Sequence, residues 1–223
     1  MPVYYHETID PTSVREKEVE YLATLGDVVT KIVNTPRSQM RCLANWVVIW
    51  ATGRWPQIVG QWEMASWEWF TTHFENFKLE VDHPKGYEEY RHGGFDRLLV
   101  PAEGTPTLDE IVTRGIRAPW ILQETVQVAP RQSGSYLAAL SEAGENLRAA
   151  ERDIRLHGAY NVMLRNDSEV IVQWAFDELP SWVATVERPD EIPELRAWRE
   201  RAAELERSHA GVLLRPTEWS PLH

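Results

Sequence analysis

Apolar positions along this chain follow two alternating rhythms, and the same succession of rhythms occurs twice. Val3 to Ile9 and Trp120 to Val128 are dense in β-branched and aromatic residues and predict strands. From Val14 to Val33, the residues Val19, Leu22, Leu25, Val29, Ile32 and Val33 recur at three- and four-residue spacing, which predicts a helix with one apolar face. Tyr136, Leu140, Ala143, Leu147, Ala150 and Ile154 repeat that spacing. A predicted hairpin follows each helix. Leu43 to Thr52 and Gln57 to Met64 are joined by Gly53-Arg54-Trp55-Pro56, and Gly158 to Leu164 and Glu169 to Phe176 by Arg165-Asn166-Asp167-Ser168, turn-forming residues between apolar runs.

Another helix opens at Ser66, with Trp67, Phe70, Phe74 and Phe77 spaced for one face. Its counterpart is split into a short helix opening at Pro180-Ser181 and a later one from Pro193, carrying Leu195, Trp198, Ala202 and Leu205 before Gly211. Short apolar strands, Phe95 to Val100 and Gly211 to Leu214, close each half ahead of a proline. Each half therefore reads β-α-β-β-α-β, the ferredoxin-like order.

Direct matches bear out the duplication. His6-Glu7-Thr8-Ile9 is answered by Gln123-Glu124-Thr125-Val126, Tyr21-Leu22-Ala23 by Tyr136-Leu137-Ala138, Gln61-Trp62 by Gln173-Trp174, and Ser66-Trp67 by Ser181-Trp182, at offsets of 112 to 117 residues. The expected organisation is one repeat over residues 1–104, a connector over 105–118 with a short helix from Leu108 to Val112, and a second repeat over 119–223. A four-stranded sheet with helices on one face leaves the other face apolar. Two such α+β units in one chain would bury those faces together as a pseudo-twofold barrel.

Composition narrows the function classes. A formal net charge of -11, spread along the chain, argues against nucleic acid or an anionic membrane as partner, since both need a basic surface. Trp46 to Ala51 is the longest apolar run, far short of the roughly 20 residues of a spanning helix. Met1 to Asp10 show no secretory pattern, so the expectation is a cytoplasmic protein. Cys42 is the single cysteine, beside Leu43 at the start of an apolar strand; it is expected to be a buried, inert thiol.

Four features together resemble the tandem NIPSNAP-type proteins of bacteria, members of the dimeric α/β-barrel superfamily. They are the His6-Glu7-Thr8-Ile9 stretch, the Gly53-to-Pro56 turn, the Arg165-Asn166-Asp167 turn leading to Val172-Gln173-Trp174, and the Pro-x-x-x-Ser-Pro endings. The resemblance implies two fused ferredoxin-like repeats forming a dimeric α/β barrel. It also implies a superfamily that includes cofactor-independent monooxygenases, cyclases, isomerases and haem enzymes. No axial-histidine motif can be matched, and His157, near the expected end of the second-repeat helix, is the one haem candidate.

Alternation along the first strand puts Tyr5, Glu7 and Ile9 on one face and Tyr4, His6 and Thr8 on the other. Glu7 and Glu124 recur between apolar neighbours, where lost hydration would raise a carboxyl pKa toward the range of proton transfer. Pairing with Arg41, Arg54 or Arg165, or a place at a sheet edge, is the structural alternative. On the third strand Val59, Gln61 and Glu63 share a face opposite Trp62, and Gln173 repeats Gln61; these polar residues are expected inside the barrel. Trp46 and Trp50 share a face and are candidate pocket walls. The candidate catalytic residues are thus His6, Glu7 and Glu63, and the candidate substrate-binding residues Tyr5, Trp46, Trp50, Gln61, Glu124 and Gln173. No metal site is expected, because the seven histidines are scattered without ligand spacing and could meet only by long-range convergence, and no cofactor is expected, Gly-rich phosphate loops being absent. The leading reading is a cofactor-independent lyase, isomerase, cyclase or oxygenase with a barrel pocket for a hydrophobic or aromatic small molecule. The alternative is a non-catalytic ligand-binding or assembly protein with a filled barrel; a haem-binding barrel ranks third, and a homodimer is left open.

Overall fold

The computed structural model describes residues 1–12, 15–35, 38–76, 90–164 and 168–223. Eight strands form: β1 Val3–Pro11, β2 Met40–Val48, β3 Ile58–Met64, β4 Arg91–Pro101, β5 Trp120–Val128, β6 Arg155–Met163, β7 Glu169–Phe176 and β8 Glu206–Pro216. Among the described residues six α-helices accompany them: α1 Arg15–Val28, α2 Trp67–Glu75, α3 Leu108–Arg114, α4 Ser133–Ala149, α5 Leu179–Glu187 and α6 Pro193–Leu205. Among the described residues no helix is long and apolar enough to cross a membrane.

The strands close into a barrel in the order β1-β3-β2-β8-β5-β7-β6-β4. Each repeat contributes one sheet, β4-β1-β3-β2 or β8-β5-β7-β6, in which every neighbour is antiparallel. Two seams join them. Trp46, Val47 and Val48 pair with Pro216, Arg215 and Leu214, and Leu98 to Pro101 pair with Met163 to Tyr160. Both seams are needed, because an open ferredoxin-like sheet exposes two unpaired edges as well as an apolar face.

Side-chain alternation divides the apolar residues into an inner and an outer layer. Tyr4, Trp46, Val48, Val59, Leu99, Ile121, Tyr160, Ile171 and Leu214 pack inside the barrel. Outside, Val126, Val172, Trp174 and Phe176 meet Tyr136, Leu140 and Leu147 of α4 and Leu195, Trp198 and Ala202 of α6. The connector is tied down locally: Thr107 and Glu110 form a capping box at the start of α3, and Gly115 ends it at φ 62°.

Matching irregularities confirm the duplication in detail. The β2/β3 register slips between Cys42 and Ala44, and the β6/β7 register between Leu156 and Gly158, so Leu43 and His157 are the extra residues of equivalent β-bulges.

Several expectations are corrected. Helix α1 gives way to a π turn over Val29–Val33, and Val19 is exposed rather than on the packed stripe. The second-repeat helix stops at Ala149, so Ile154 is buried in a loop and His157 belongs to β6 rather than to a helix end. Strand β2 ends at Val48, which leaves Trp50 in the hairpin turn with 75% of its surface exposed. Phe77 and the Arg165-Asn166-Asp167 turn lie outside the described residues.

Gly94 on β4 sits at φ +135°, and a Cβ there would lie 2.0 Å from the Thr8 carbonyl oxygen of β1. Backbone cannot yield as a flexible side chain would. Gly94→Ala is expected to destabilise the protein by more than about 3 kcal/mol, measured by urea denaturation; a change below about 1 kcal/mol would show that the β1–β4 pairing relaxes freely.

Candidate functional site

The barrel interior carries a belt of polar side chains at equivalent positions of four strands: His6 on β1, Gln61 on β3, Gln123 on β5 and Gln173 on β7. His6 Nε2 donates to Gln123 Oε1 at 3.1 Å, and Gln173 Nε2 donates to Gln123 Oε1 at 3.1 Å and to Gln61 Oε1 at 2.9 Å. The expected inward direction of Gln61 and Gln173 is therefore met. Yet His6, Gln61, Gln173, Tyr4 and Trp46 have no exposed surface, so none of them borders a space that admits water. His6 Nδ1, Gln61 Nε2, Gln173 Oε1 and Trp46 Nε1 are left without hydrogen-bond partners, a cost the surrounding packing offsets. Burial, followed by the charge of Arg97, pushes the His6 imidazole down to about 4, so the ring is neutral near pH 7.

Glu63, also inward, is fully engaged. Its carboxylate accepts from the Tyr4 hydroxyl at 2.9 Å, from Arg41 at 2.7 Å and from the Leu108 backbone N–H at 2.8 Å. It thereby ties β1, β2 and the start of α3 to β3. At the opposite end of the interior Arg97 donates to Glu169 at 2.5 Å, a buried ion pair between the repeats.

The other face of β1 tells a different story. Glu7 points toward the helix layer, away from His6, and accepts from Trp62 Nε1 at 2.7 Å. The Tyr5 hydroxyl lies 3.4 Å from the same carboxyl and Arg91 3.8 Å away. Gly60, the residue paired with Glu7, makes room for it, since a Cβ there would stand 2.7 Å from Glu7 Oε1. Burial pushes Glu7 up to about 7, against the Trp62 hydrogen bond. The second repeat duplicates the pair: Trp174 Nε1 donates to Glu124 Oε2 at 2.8 Å, and burial again raises the carboxyl above its ordinary range. His6 and Glu7, neighbours in sequence, consequently serve two separate environments.

Glu124 borders an open cleft of about 520 Å³ between the second sheet and α5 and α6, a volume within the range of small-molecule sites. Leu122, Trp174, Leu195 and Trp198 form apolar walls, and Arg199, Glu206 and His209 bring polar groups. The Trp198 ring stands edge-on to Tyr136 and tilted to Trp174, with centroids 5.4 and 6.4 Å away. Glu206 accepts from the Tyr136 hydroxyl at 2.9 Å and lies 3.1 Å from His209 Nδ1. Of this set, only Glu124 was among the candidate residues. Trp198 was visible on the apolar stripe of its helix, and His209 shares the face of Glu124 by regular pairing with Val126, but Glu206 comes opposite Val128 through the register shift where β8 meets β5 between Gln127 and Val128, which no spacing rule marks.

Trp46 packs in the core rather than lining a pocket, and Trp50 stands in solvent. Cys42 is buried beside Asn45, and burial raises its thiol far above its usual range. Among the described residues no group of three His, Cys, Asp or Glu is placed to hold a metal ion. His157, on β6, is mostly buried at the edge of an open space, and its Nε2 has no hydrogen-bond partner.

Likeness to solved structures extends over the whole chain. An anthrone oxidase-like protein is 13% identical with a TM-score of 0.69, over 97% of this chain and 92% of that one. A protein from Lactobacillus acidophilus NCFM, provisionally named a monooxygenase, is 10% identical with a TM-score of 0.67, over 96% and 93%. A NIPSNAP domain protein from Burkholderia xenovorans is 19% identical with a TM-score of 0.38, over 44% and 95%. No protein-family model and no curated protein matches the sequence. The fold is that of the dimeric α/β barrels. Here both halves of the barrel belong to one chain.

Two opposed pH dependences should be hidden in the stability of the fold. His6 protonates at 6.5 when unfolded and at about 4 when folded, so stability falls as pH drops from 6.5 toward 4. Glu7 ionises at 4.5 when unfolded and at about 7 when folded, so stability falls as pH rises from 4.5 toward 7. Each amounts to at most about 3 kcal/mol. In Glu7→Gln the Glu7 part of this second dependence is removed, and the urea midpoint should rise more steeply with pH across that window than in wild type; a profile superimposable on wild type would contradict a buried, titrating Glu7.

Proposed function

We propose that this protein binds a hydrophobic or aromatic small molecule in the cleft over its second repeat and moves a proton on it through Glu124, as a lyase, isomerase or cyclase that needs no organic cofactor. The observation that supports this reading is the state of Glu124: a carboxyl on the wall of an open, aromatic-walled cleft, opposed in its ionisation by burial. A carboxylate held at raised basicity takes a proton from a carbon or hydroxyl acid more readily, and as the acid returns it more readily near neutral pH. Trp174 and Trp198 give an aromatic surface for the ligand to lie against, while Glu206 and His209 offer a path for the proton to leave. An oxygenase at the same cleft, the chemistry in the provisional name of the Lactobacillus acidophilus neighbour, would take dioxygen as co-substrate.

In this reading residues 1–104 form the supporting repeat, 105–118 the connector and 119–223 the repeat that carries the chemistry, in a cytoplasmic protein whose Cys42 stays reduced. The barrel interior with His6, Gln61, Glu63 and Gln173 holds the halves together. A non-catalytic binding protein would share the cleft but not the proton transfer.

The test is exchange of a carbon-bound hydrogen in D2O, followed by NMR, with anthrone as the first carbon acid and aromatic ketones beside it. Wild-type protein should accelerate exchange, Glu124→Gln should lose at least about 100-fold, and His6→Gln should keep the rate. Loss in His6→Gln with retention in Glu124→Gln would move the site to the barrel interior, and no acceleration by wild type would favour the non-catalytic alternative.

A further inference from the structure

A second cleft, of about 650 Å³, lies on the same repeat between the connector, α4 and β6. Its meaning comes from the place that matches it in the first repeat. Pro101-Ala102-Glu103-Gly104-Thr105-Pro106, which follows β4, corresponds to Pro216-Thr217-Glu218-Trp219-Ser220-Pro221, which follows β8. The two segments latch onto the barrel identically. Thr217 N donates to Asn45 O at 2.9 Å and Ala102 N to Ala159 O at 2.8 Å; the Ser220 and Thr105 hydroxyls each donate to the same carbonyls at 3.0 Å and accept from the same residues' N–H groups.

Between these shared contacts one residue differs in kind. Trp219 lays its indole against α1 at Gly26, where a Cβ would come within 2.6 Å of the ring, and packs with Val29, Cys42 and Trp62. In the second repeat its equivalent is Gly104, at φ +84° with nothing within 4 Å of where a Cβ would be. Ser141, the equivalent of Gly26, lines the open space instead. The bulge residue changes too: Leu43, buried in the barrel core, is matched by His157, which borders the cleft and whose Nε2 is buried and unpartnered. An apolar plug in one repeat has become an open, polar space in the other.

Charge describes what would enter it. Four arginines reach the cleft, of which Arg155 is held by Asp177 through two bonds of 2.8 and 2.7 Å and Arg148 by Glu145. Arg114 and Arg117 are in no ion pair among the described residues, Arg117 donating only to the Pro221 carbonyl at 3.0 Å, and Glu103 is the one further carboxylate. We propose that this cleft is a binding site for a small molecule with a planar, indole-sized ring and an acidic group, the ring taking the place that Trp219 fills in the first repeat and the acid meeting Arg114 and Arg117. The site is separate from the cleft at Glu124 and does not depend on the reading given to it.

Calorimetric titration with indole-3-acetate, and with neutral 3-methylindole, tests this on the full chain. Indole-3-acetate should bind with a Kd below ~1 mM, 3-methylindole at least about 10-fold more weakly, the loss of one charge-assisted contact, and added salt should weaken only the acid. Ser141→Trp, on the half-buried side of α4 that lines the cleft, should block binding while circular dichroism and the melting temperature stay those of wild type; His157→Leu, which restores the first-repeat residue, provides a second folded variant with reduced affinity. Absence of binding to wild type, equal binding of the two indoles, or full binding by a folded Ser141→Trp would each overturn the proposal.

Discussion

Closure of the barrel is the constraint on which the rest of this structure depends. Each repeat alone would leave two strand edges without partners and an apolar sheet face in water, and the two seams, β2 with β8 and β4 with β6, remove all of these at once. The inner face then has to be filled by side chains from both repeats. That is why Tyr4, Trp46 and Tyr160 are buried there, and why the amide belt of Gln61, Gln123 and Gln173 with His6 finds most of its partners across the pseudo-twofold axis. A filled interior leaves the helix-facing sides of the sheets as the places where a ligand can be met.

On those outer sides the repeats have kept one device and lost the symmetry around it. The Trp–Glu hydrogen bond is present twice, at Trp62 with Glu7 and at Trp174 with Glu124, with nearly equal lengths of 2.7 and 2.8 Å. Around Glu7 the neighbours are Gly60, Tyr5 and Arg91, whereas Glu124 stands against Val172 and opens to α6. The same divergence appears at Trp219 and Gly104. Duplication supplies two equivalent frames, and substitution at a few positions decides which of them stays open.

The fold was legible because its signals are periodic. Alternation on β3 and β7 correctly put Gln61 and Gln173 inside and Trp62 and Trp174 outside, and the offsets between repeats gave the topology. The site was legible only in part. Glu124 stood out by its place between Leu122 and Val126, but its partners come from α6 and from the start of β8, distant in sequence and brought in by packing and a register shift. Trp50 shows the converse failure: the apolar run continues past Val48, yet pairing stops there and the ring is left in solvent. Glu63 was legible as an inward carboxylate and a catalytic candidate, but not its engagement, because its three donors, Tyr4, Arg41 and the Leu108 N–H, lie on three other elements.

The central claim is that the barrel interior is sealed and that ligands are met on the helix side of the second repeat. It is tested most directly by mapping amide chemical shifts while the protein is titrated with 2-naphthol, an uncharged aromatic probe. The account predicts perturbations at Leu122, Glu124, Trp174, Leu195 and Trp198 with no change at His6, Gln61 and Gln173. Shifts centred on His6, Gln61 and Gln173, with the outer residues silent, would contradict it.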